Sequence, residues 1–227
     1  VLCAGLATTA GVVGVDADRE AIARQLGGEL RSERVILHYD SARIPEPEAR
    51  RILADHHFHL ARLDDALGER YAPVIRSFVY SDVAQKRHLM GARRVEVAKP
   101  WLREIHLTWP GFAASVVRHE LAHVVMGRDA PWPLALPAVG RLLPHAALVE
   151  GAAEALEWSS GDLTLHQWSA ALHRTGLAVD IAELMGPDGF YSQPAHKAYT
   201  LSGSFMRWLL DTRGPGPFRD VYRDADF

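Results

Sequence analysis

Residues 112–126 read FAASVVRHELAHVVM, and this apolar stretch, the motif helix, decides most of what the sequence says about the fold. Few of its positions are polar, and a helix that is apolar nearly all round is typically buried. Because positions four apart share one helix face, His119 and His123 can both reach one metal ion. Glu120 points about 100° away, where it can hold a water molecule instead of the metal. The HELAH pattern therefore predicts a catalytic zinc site on a buried helix.

The predicted motif helix is bounded by residues that end helices. The segment WPG at 109–111 precedes it, and Gly127 follows the last apolar residue as a predicted C-cap. Two imidazoles and a carboxylate on a buried helix carry a large cost unless they are hydrogen-bonded or bound to a metal. The alternative to a metal site is a pair of core histidines with satisfied hydrogen bonds beside a surface Glu120.

A second apolar helix, LVEGAAEALE at residues 148–157, carries three carboxylates. Glu150 and Glu154 share one face, and Glu157 lies one turn further along. Their neighbours are Ala, Leu and Gly rather than Lys or Arg, so no local ion pairs explain them. Glu150 is therefore a candidate third ligand, with a solvated helix face as the alternative. Gly151 is expected to let this helix approach the motif helix closely, because glycine has no side chain.

HELAH followed by VEGAAEALE resembles the gluzincin zinc metallopeptidases, especially the aminopeptidase group and the peptidase MA-like domains of bacteria. The resemblance implies one Zn²⁺ per chain, bound by His119, His123 and Glu150, with Glu120 as the general base. Three protein ligands leave a fourth position open for water, as in other catalytic zinc sites. Two histidines and one carboxylate also suit iron or manganese, and the helical pattern with a glutamate between the histidines favours zinc.

The resemblance extends to YTLSGSFMRWLLDTRG at residues 199–214, which is similar to a later helix of the family. In the family that helix begins with a tyrosine that stabilises the oxyanion, and Tyr199 occupies the matching position. His196 lies one turn earlier and is a rival for this role. The alternative for Tyr199 is a core tyrosine packed against Phe205 and Met206.

Two features depart from the aminopeptidases. The spacer between His123 and Glu150, residues 124–149, has 26 residues and is longer than theirs. No GxMEN segment, which binds the free amine of the substrate in that group, precedes His119. The resemblance therefore implies a peptidase without implying aminopeptidase specificity.

The carboxylates that follow Glu150 are candidates for a supporting role. A zinc-bound histidine usually donates its other ring N–H to a carboxylate or a carbonyl. Glu154 and Glu157 are both placed to accept such a bond, and Glu154 is preferred because it lies one turn from Glu150.

The remaining histidines and the composition give weaker signals. His56, His57 and His59 lie in a long amphipathic pattern and are predicted on a solvated helix surface. The single cysteine, Cys3, excludes an intrachain disulfide and a cysteine-rich zinc cluster. A net charge of −3 gives no electrostatic footprint for nucleic acid. The resemblance to the metallopeptidases implies a peptide or protein substrate as the partner.

Both ends of the chain suggest a longer natural protein. Residues 1–15 are small and apolar, and we expect a remnant of a transmembrane helix or of a signal peptide, with a buried strand as the alternative. This segment predicts membrane attachment or export. Residues 218–227 begin a helix without a finishing signal, so the natural chain is expected to continue.

The pattern between these ends predicts an α+β, zincin-like fold. An α/β lobe is expected over 16–111 and a helical lobe over 112–227, with the metal at their junction. The predicted helices are residues 16–30, 45–67 and 82–90, and the predicted strands are residues 33–39, 74–80, 95–98 and 104–108. The strand at 104–108 is expected to form a sheet edge to which an extended peptide can pair.

Two function classes follow from these features. The first is a zinc-dependent metallopeptidase that hydrolyses peptide bonds with water activated by the metal. The second is a non-catalytic, gluzincin-like binding or sensory domain of a larger membrane protein. The presence of every catalytic residue type favours the first. A zinc hydrolase with a non-peptide substrate is a third alternative.

Overall fold

The computed structural model describes residues 18–92, 95–110, 114–130, 134–139, 143–157, 159–160, 162–186 and 188–224. The chain forms two compact units. The described residues of unit 1 lie within 18–61 and 71–121, and those of unit 2 lie within 62–70 and 122–224. The predicted apolar segment 1–15 and the last three residues lie outside the described residues.

Unit 1 contains a five-stranded mixed sheet within the described residues. Its strands are β1 (Gly27–Arg31), β2 (Val35–Asp40), β3 (Ile75–Tyr80), β4 (Val97–Lys99) and β5 (Glu104–Thr108), in the spatial order β1-β2-β3-β5-β4. The pairs β2/β3 and β3/β5 are parallel, and the outer pairs β1/β2 and β4/β5 are antiparallel. The structure confirms a mixed sheet accompanied by helices and adds one strand to the expected four.

The additional strand arises where a single helix was expected over residues 16–30. Helix α1 (Arg19–Leu26) ends at Gly27, whose φ of 76° is left-handed and readily adopted only by glycine. A Cβ atom at Gly28 would lie 2.6 Å from Cζ of Tyr39, so glycine lets that ring lie against the strand. Residues 27–31 then pair with β2, and the prediction of helix beyond Leu26 is wrong.

The other elements of unit 1 lie close to their predicted bounds. Helix α2 (Glu46–Leu67) continues into unit 2, and helix α3 (Val83–Met90) begins at the cap residue Asp82 and ends at Gly91. The prediction that β5 is a sheet edge is wrong. Because β4 folds back and pairs antiparallel with it, β5 lies between β3 and β4, and β4 forms the edge.

The predicted solvated surface at residues 56–59 is wrong for two of the three histidines. His56 is fully buried and His59 nearly so, whereas His57 is half-buried. The Nδ1 atom of His56 lies 2.7 Å from the carbonyl of Ile52, and its Nε2 atom lies 2.9 Å from Oγ of Ser77 on β3. These two partners satisfy both ring nitrogens, which makes burial of a polar ring tolerable. Burial lowers the pKa of His56 to about 4.

Unit 2 is mainly helical in its described residues. The motif helix α4 (Ala114–Met126) enters unit 2 after Leu121. It is followed by a 3-10 turn (Gly127–Asp129), α5 (Ala146–Glu157), α6 (Leu165–Arg174), α7 (Ile181–Leu184), α8 (Ala195–Arg213) and α9 (Pro215–Asp224). Two short hairpins are formed by β6 (Ala138–Val139) with β7 (Leu143–Pro144), and by β8 (Ser159–Ser160) with β9 (Leu163–Thr164). Among the described residues, no helix has the length and apolarity needed to cross a bilayer.

Helix α8 is the centre of unit 2, since α5, α6, α7 and α9 all pack against it. A Cβ atom at Gly151 would lie 3.0 Å from the backbone of Ser202, and one at Gly203 would lie 2.7 Å from Cβ of Glu154. Gly151 therefore permits a close approach of α5 to α8. The expectation that Gly151 serves contact with the motif helix is wrong, because the space beside it is taken by α8.

Candidate metal centre

The motif helix α4 is one continuous helix, and the division between the two units falls within it, after Leu121. The predicted burial is confirmed for six of its apolar residues, which are at most 1% exposed, whereas Val116 is half-buried. The six are Val117, Leu121, Ala122, Val124, Val125 and Met126. The helix ends at Met126 as expected, but Gly127 does not adopt the left-handed conformation of a C-cap. It begins a 3-10 turn instead, closed by the N–H of Ala130 donating to its carbonyl.

The three predicted ligands come together. His119, His123 and Glu150 each offer one ligand atom, and these atoms all lie within 4.8 Å of one another. The Nε2 atom of His123 lies 3.5 Å from Oε2 of Glu150. His123 is buried, and His119 and Glu150 are half-buried. The spacing of four on α4 aligns the two imidazoles, and the start of α5 at Ala146 supplies the carboxylate.

The distance between His123 and Glu150 fits a tetrahedral ion. Zinc binds imidazole nitrogen and carboxylate oxygen at about 2.0–2.2 Å, so two ligand atoms at a tetrahedral angle lie about 3.4 Å apart. The distance of 3.5 Å between His123 and Glu150 is close to this tetrahedral ligand–ligand separation. It is longer than an ordinary hydrogen bond of about 2.7–3.2 Å. Two nitrogens and one oxygen also match the donor preference of zinc. The residues present therefore fit the metal that the motif predicts.

A second group shares one of these histidines. Carboxylate atoms of Glu154 and Glu157 lie within 4.8 Å of each other and of a ring nitrogen of His119. An imidazole has two ring nitrogens, so one can face a metal while the other donates to a carboxylate. Both predicted supporting carboxylates are thus brought to His119, and the preference for Glu154 over Glu157 stays a prediction.

Glu120 is buried, with 7% of its surface exposed. Its negative charge acts on the fully buried ammonium of Lys86, which is ion-paired with Glu96 and donates to the carbonyl of Val95 at 2.7 Å. Burial lowers the pKa of Lys86, while the charges of Glu96 and Glu120 oppose that lowering. The proposed base therefore lies in the attractive field of a buried cation. Sequence reasoning missed Lys86, because nothing in its local pattern distinguishes it from a surface lysine.

Tyr199 lies in the second turn of α8, not at its start, since the helix begins at Ala195 after Pro194. It is half-buried, and its ring packs against Phe190 with centroids 5.3 Å apart. Ser202, which contacts Gly151 beside Glu150, follows one turn later on the same face of α8. His196 is exposed. The helix ends before Gly214 as predicted.

The close contact between α5 and α8 was not predicted from the sequence. It depends on Gly151 and on the small residues Ser202 and Gly203. A run of small residues inside an otherwise apolar helix is the signal that marks such a contact, and residues 202–204 read SGS. This contact holds the glutamate-bearing helix α5 in place.

No family model, curated protein or solved structure matches this chain. The candidate site is therefore defined only by the positions and the donor atoms of its own residues.

Proposed function

We propose that this protein is a zinc-dependent metallopeptidase of the gluzincin type. One observation carries the proposal: the ligand atoms of His119, His123 and Glu150 lie within 4.8 Å of one another. This donor set has two imidazoles and one carboxylate, which leaves a fourth position for water on a tetrahedral ion. A closed structural site would use four protein ligands, so the set of three favours catalysis.

When bound, zinc would supply Lewis acidity that polarises the substrate carbonyl and makes water more acidic. Glu120 takes the proton of the attacking water and delivers it to the nitrogen of the leaving amine. This carboxylate is buried, and it interacts electrostatically with the positive charge of Lys86. Tyr199 donates a hydrogen bond to the oxyanion, a contribution of about 3 kcal/mol in comparable sites.

The proposal includes the zincin-like fold class. Along the described chain, the mixed sheet precedes the motif helix α4, and the glutamate-bearing helix α5 and helix α8 follow it. The long spacer between His123 and Glu150 contains the β6/β7 hairpin. At its end the N–H of His145 donates to the carbonyl of Pro137 at 2.8 Å, and α5 starts at the next residue. The additional residues of the spacer therefore form the β6/β7 hairpin and its connection to α5, which precede Glu150.

The decisive experiment compares wild type with Glu120→Gln. Zinc content is measured by mass spectrometry, and hydrolysis is measured on a mixed peptide library. We expect about one zinc per chain in both proteins and cleavage by wild type alone, because glutamine cannot accept the proton. Glu183→Gln, at an exposed position on α7, is the matched control and should cleave like wild type.

Each contrary result has a definite meaning. Cleavage that persists undiminished in Glu120→Gln would overturn the mechanism. Stoichiometric zinc without cleavage by wild type would favour a binding or sensory module over a peptidase. Absence of zinc from wild type would remove the proposed function altogether.

A further inference from the structure

An exposed tyrosine, Tyr191, lies one ring away from the proposed oxyanion donor Tyr199. Its side chain is 71% exposed, the largest exposed fraction of any large apolar side chain that the structure describes. The ring of Tyr191 meets the ring of Phe190 edge to face, with centroids 5.8 Å apart. Phe190 is buried, and its ring packs against that of Tyr199 with centroids 5.3 Å apart. A continuous row of three aromatic rings therefore leads from the solvent to Tyr199.

The turn that carries Tyr191 is fixed by its own hydrogen bonds and by packing. The N–H of Ser192 donates to the carbonyl of Asp188 at 3.0 Å, and the hydroxyl of Ser192 donates to the carbonyl of Gly189 at 2.8 Å. A Cβ atom at Gly189 would overlap the carbonyl oxygen of Glu183, so the turn lies directly against the backbone of α7. Single exposed apolar residues are common on protein surfaces. Tyr191 differs from them because a fixed backbone presents its ring beside a proposed catalytic residue.

An aromatic side chain on a fixed backbone is well suited to recognition. Tyrosine offers a large contact area and has only two side-chain torsions to order when it binds a ligand. Phe190 covers one part of the Tyr191 ring, and most of the remaining ring surface is open to a ligand. Another aromatic ring is the partner that matches this surface best, because offset or edge-to-face pairs add attraction beyond the burial of apolar area.

The distance from Tyr199 indicates which part of a substrate Tyr191 reaches. The centroid separations of 5.8 and 5.3 Å together place the ring of Tyr191 within about 11 Å of the ring of Tyr199. An extended peptide advances about 3.3 Å per residue. A peptide whose scissile carbonyl lies at Tyr199 therefore brings a side chain two or three residues away to Tyr191.

We propose that Tyr191 determines substrate specificity by binding an aromatic side chain two or three residues from the cleaved bond. The inference rests on the proposed function, because it requires a substrate held at Tyr199, and it names peptides with an aromatic residue at that distance as the preferred substrates. An aromatic pair contributes up to about 10-fold in affinity. The contact is remote from the reacting atoms and is made equally in the bound substrate and in the transition state. It is therefore expected to lower KM and to leave kcat unchanged.

The test measures KM and kcat for wild type, Tyr191→Ala, Tyr191→Phe and Phe58→Ala. The substrates are fluorescence-quenched peptides based on one sequence that wild type cleaves, with Phe or Ala placed in turn at each of the three positions on either side of the cleaved bond. We expect wild type to show a KM up to about 10-fold lower for Phe than for Ala at one position two or three residues from the bond. Tyr191→Ala should lose this difference at unchanged kcat, and Tyr191→Phe should keep it because the ring remains. Phe58→Ala removes an aromatic side chain that is 61% exposed on α2, and it should behave like wild type.

The contrary outcomes separate this inference from the proposed function. A preference for Phe that persists in Tyr191→Ala, or that is lost in Tyr191→Phe, would overturn the inference and leave the peptidase intact. A fall of kcat by the same factor for every peptide in Tyr191→Ala would also overturn it, because the residue would then act through Tyr199 and not on specificity. Failure of wild type to cleave any peptide would instead remove the proposed function itself.

Discussion

Gly203→Ala should destabilise the protein, although the same change in an ordinary helix stabilises. A Cβ atom at Gly203 would lie 2.7 Å from Cβ of Glu154 and 3.2 Å from Cδ1 of Leu165. Carbon atoms in contact normally lie about 3.5–4.0 Å apart, so α5 and α8 must separate by about 1 Å. The neighbour is the root of a side chain rather than its flexible end, so rotation of Glu154 cannot relieve the overlap.

The magnitude follows from two opposing contributions. Overpacking of a tight core costs about 1–3 kcal/mol. Replacing glycine by alanine inside a helix contributes about 1 kcal/mol in the other direction. The expected net change is a loss of about 1 kcal/mol in the free energy of unfolding, or about 2–4 °C in Tm for a chain of this size.

The assay is urea and thermal unfolding followed by circular dichroism. Gly216→Ala is the matched control, because Gly216 also lies in a helix and no described atom lies within 4 Å of its Cβ position. The control should be neutral or more stable by up to about 1 kcal/mol. If Gly203→Ala stabilises the protein as much as Gly216→Ala does, the close contact of α5 with α8 is refuted.

Two further predictions concern metal binding and pH. His123→Ala should weaken zinc binding by about 100-fold or more, because loss of a ligand costs more affinity than loss of an outer-shell donor. His57→Ala is the control and should bind zinc like wild type. Equal zinc affinities of His123→Ala and wild type in equilibrium dialysis would contradict the ligand assignment. The pKa of His56 is about 4 in the folded protein and about 6.5 in the unfolded chain. The contribution of neutral His56 to the free energy of unfolding is therefore present above pH 6.5 and is lost as the pH falls to 4. The loss is about 3 kcal/mol. His56→Gln should show a shallower fall of the urea midpoint over this range, and an unchanged slope would show that His56 does not titrate as argued.

The features predicted most accurately from the sequence are those that depend on residues close together in the chain. Helix geometry alone places His119 and His123 on one face, so their alignment required no knowledge of the rest of the chain. Caps are also local, and Asp82 and Gly91 begin and end α3 where expected. The same holds for Gly214 at the end of α8.

The errors arose where a distant residue decides the outcome. Burial of His56 depends on Ser77, which is 21 positions away and satisfies one ring nitrogen. The strand at residues 27–31 exists because β2 pairs with it, although the preceding residues continue a helical pattern up to Gly27. No local pattern contains such partners, and tertiary contacts override propensity in both cases.

The contact of α5 with α8 also explains why Glu150, Glu154 and Glu157 all lie near the histidines of the motif helix. A helix turns about 100° per residue, so Glu150, Glu154 and Glu157 lie within an arc of about 60° that starts about 60° from Gly151. With Gly151 held against Ser202, the rotation of α5 about its axis is set, and this arc is directed to one side of α8. All three carboxylates come within 4.8 Å of ring nitrogens of His119 or of its partner His123. A side chain at position 151 would force α5 to rotate or to move away, and the ligand set would lose its carboxylate. The glycine after Glu150 is therefore as necessary to the proposed site as the ligand that it follows, although it binds nothing.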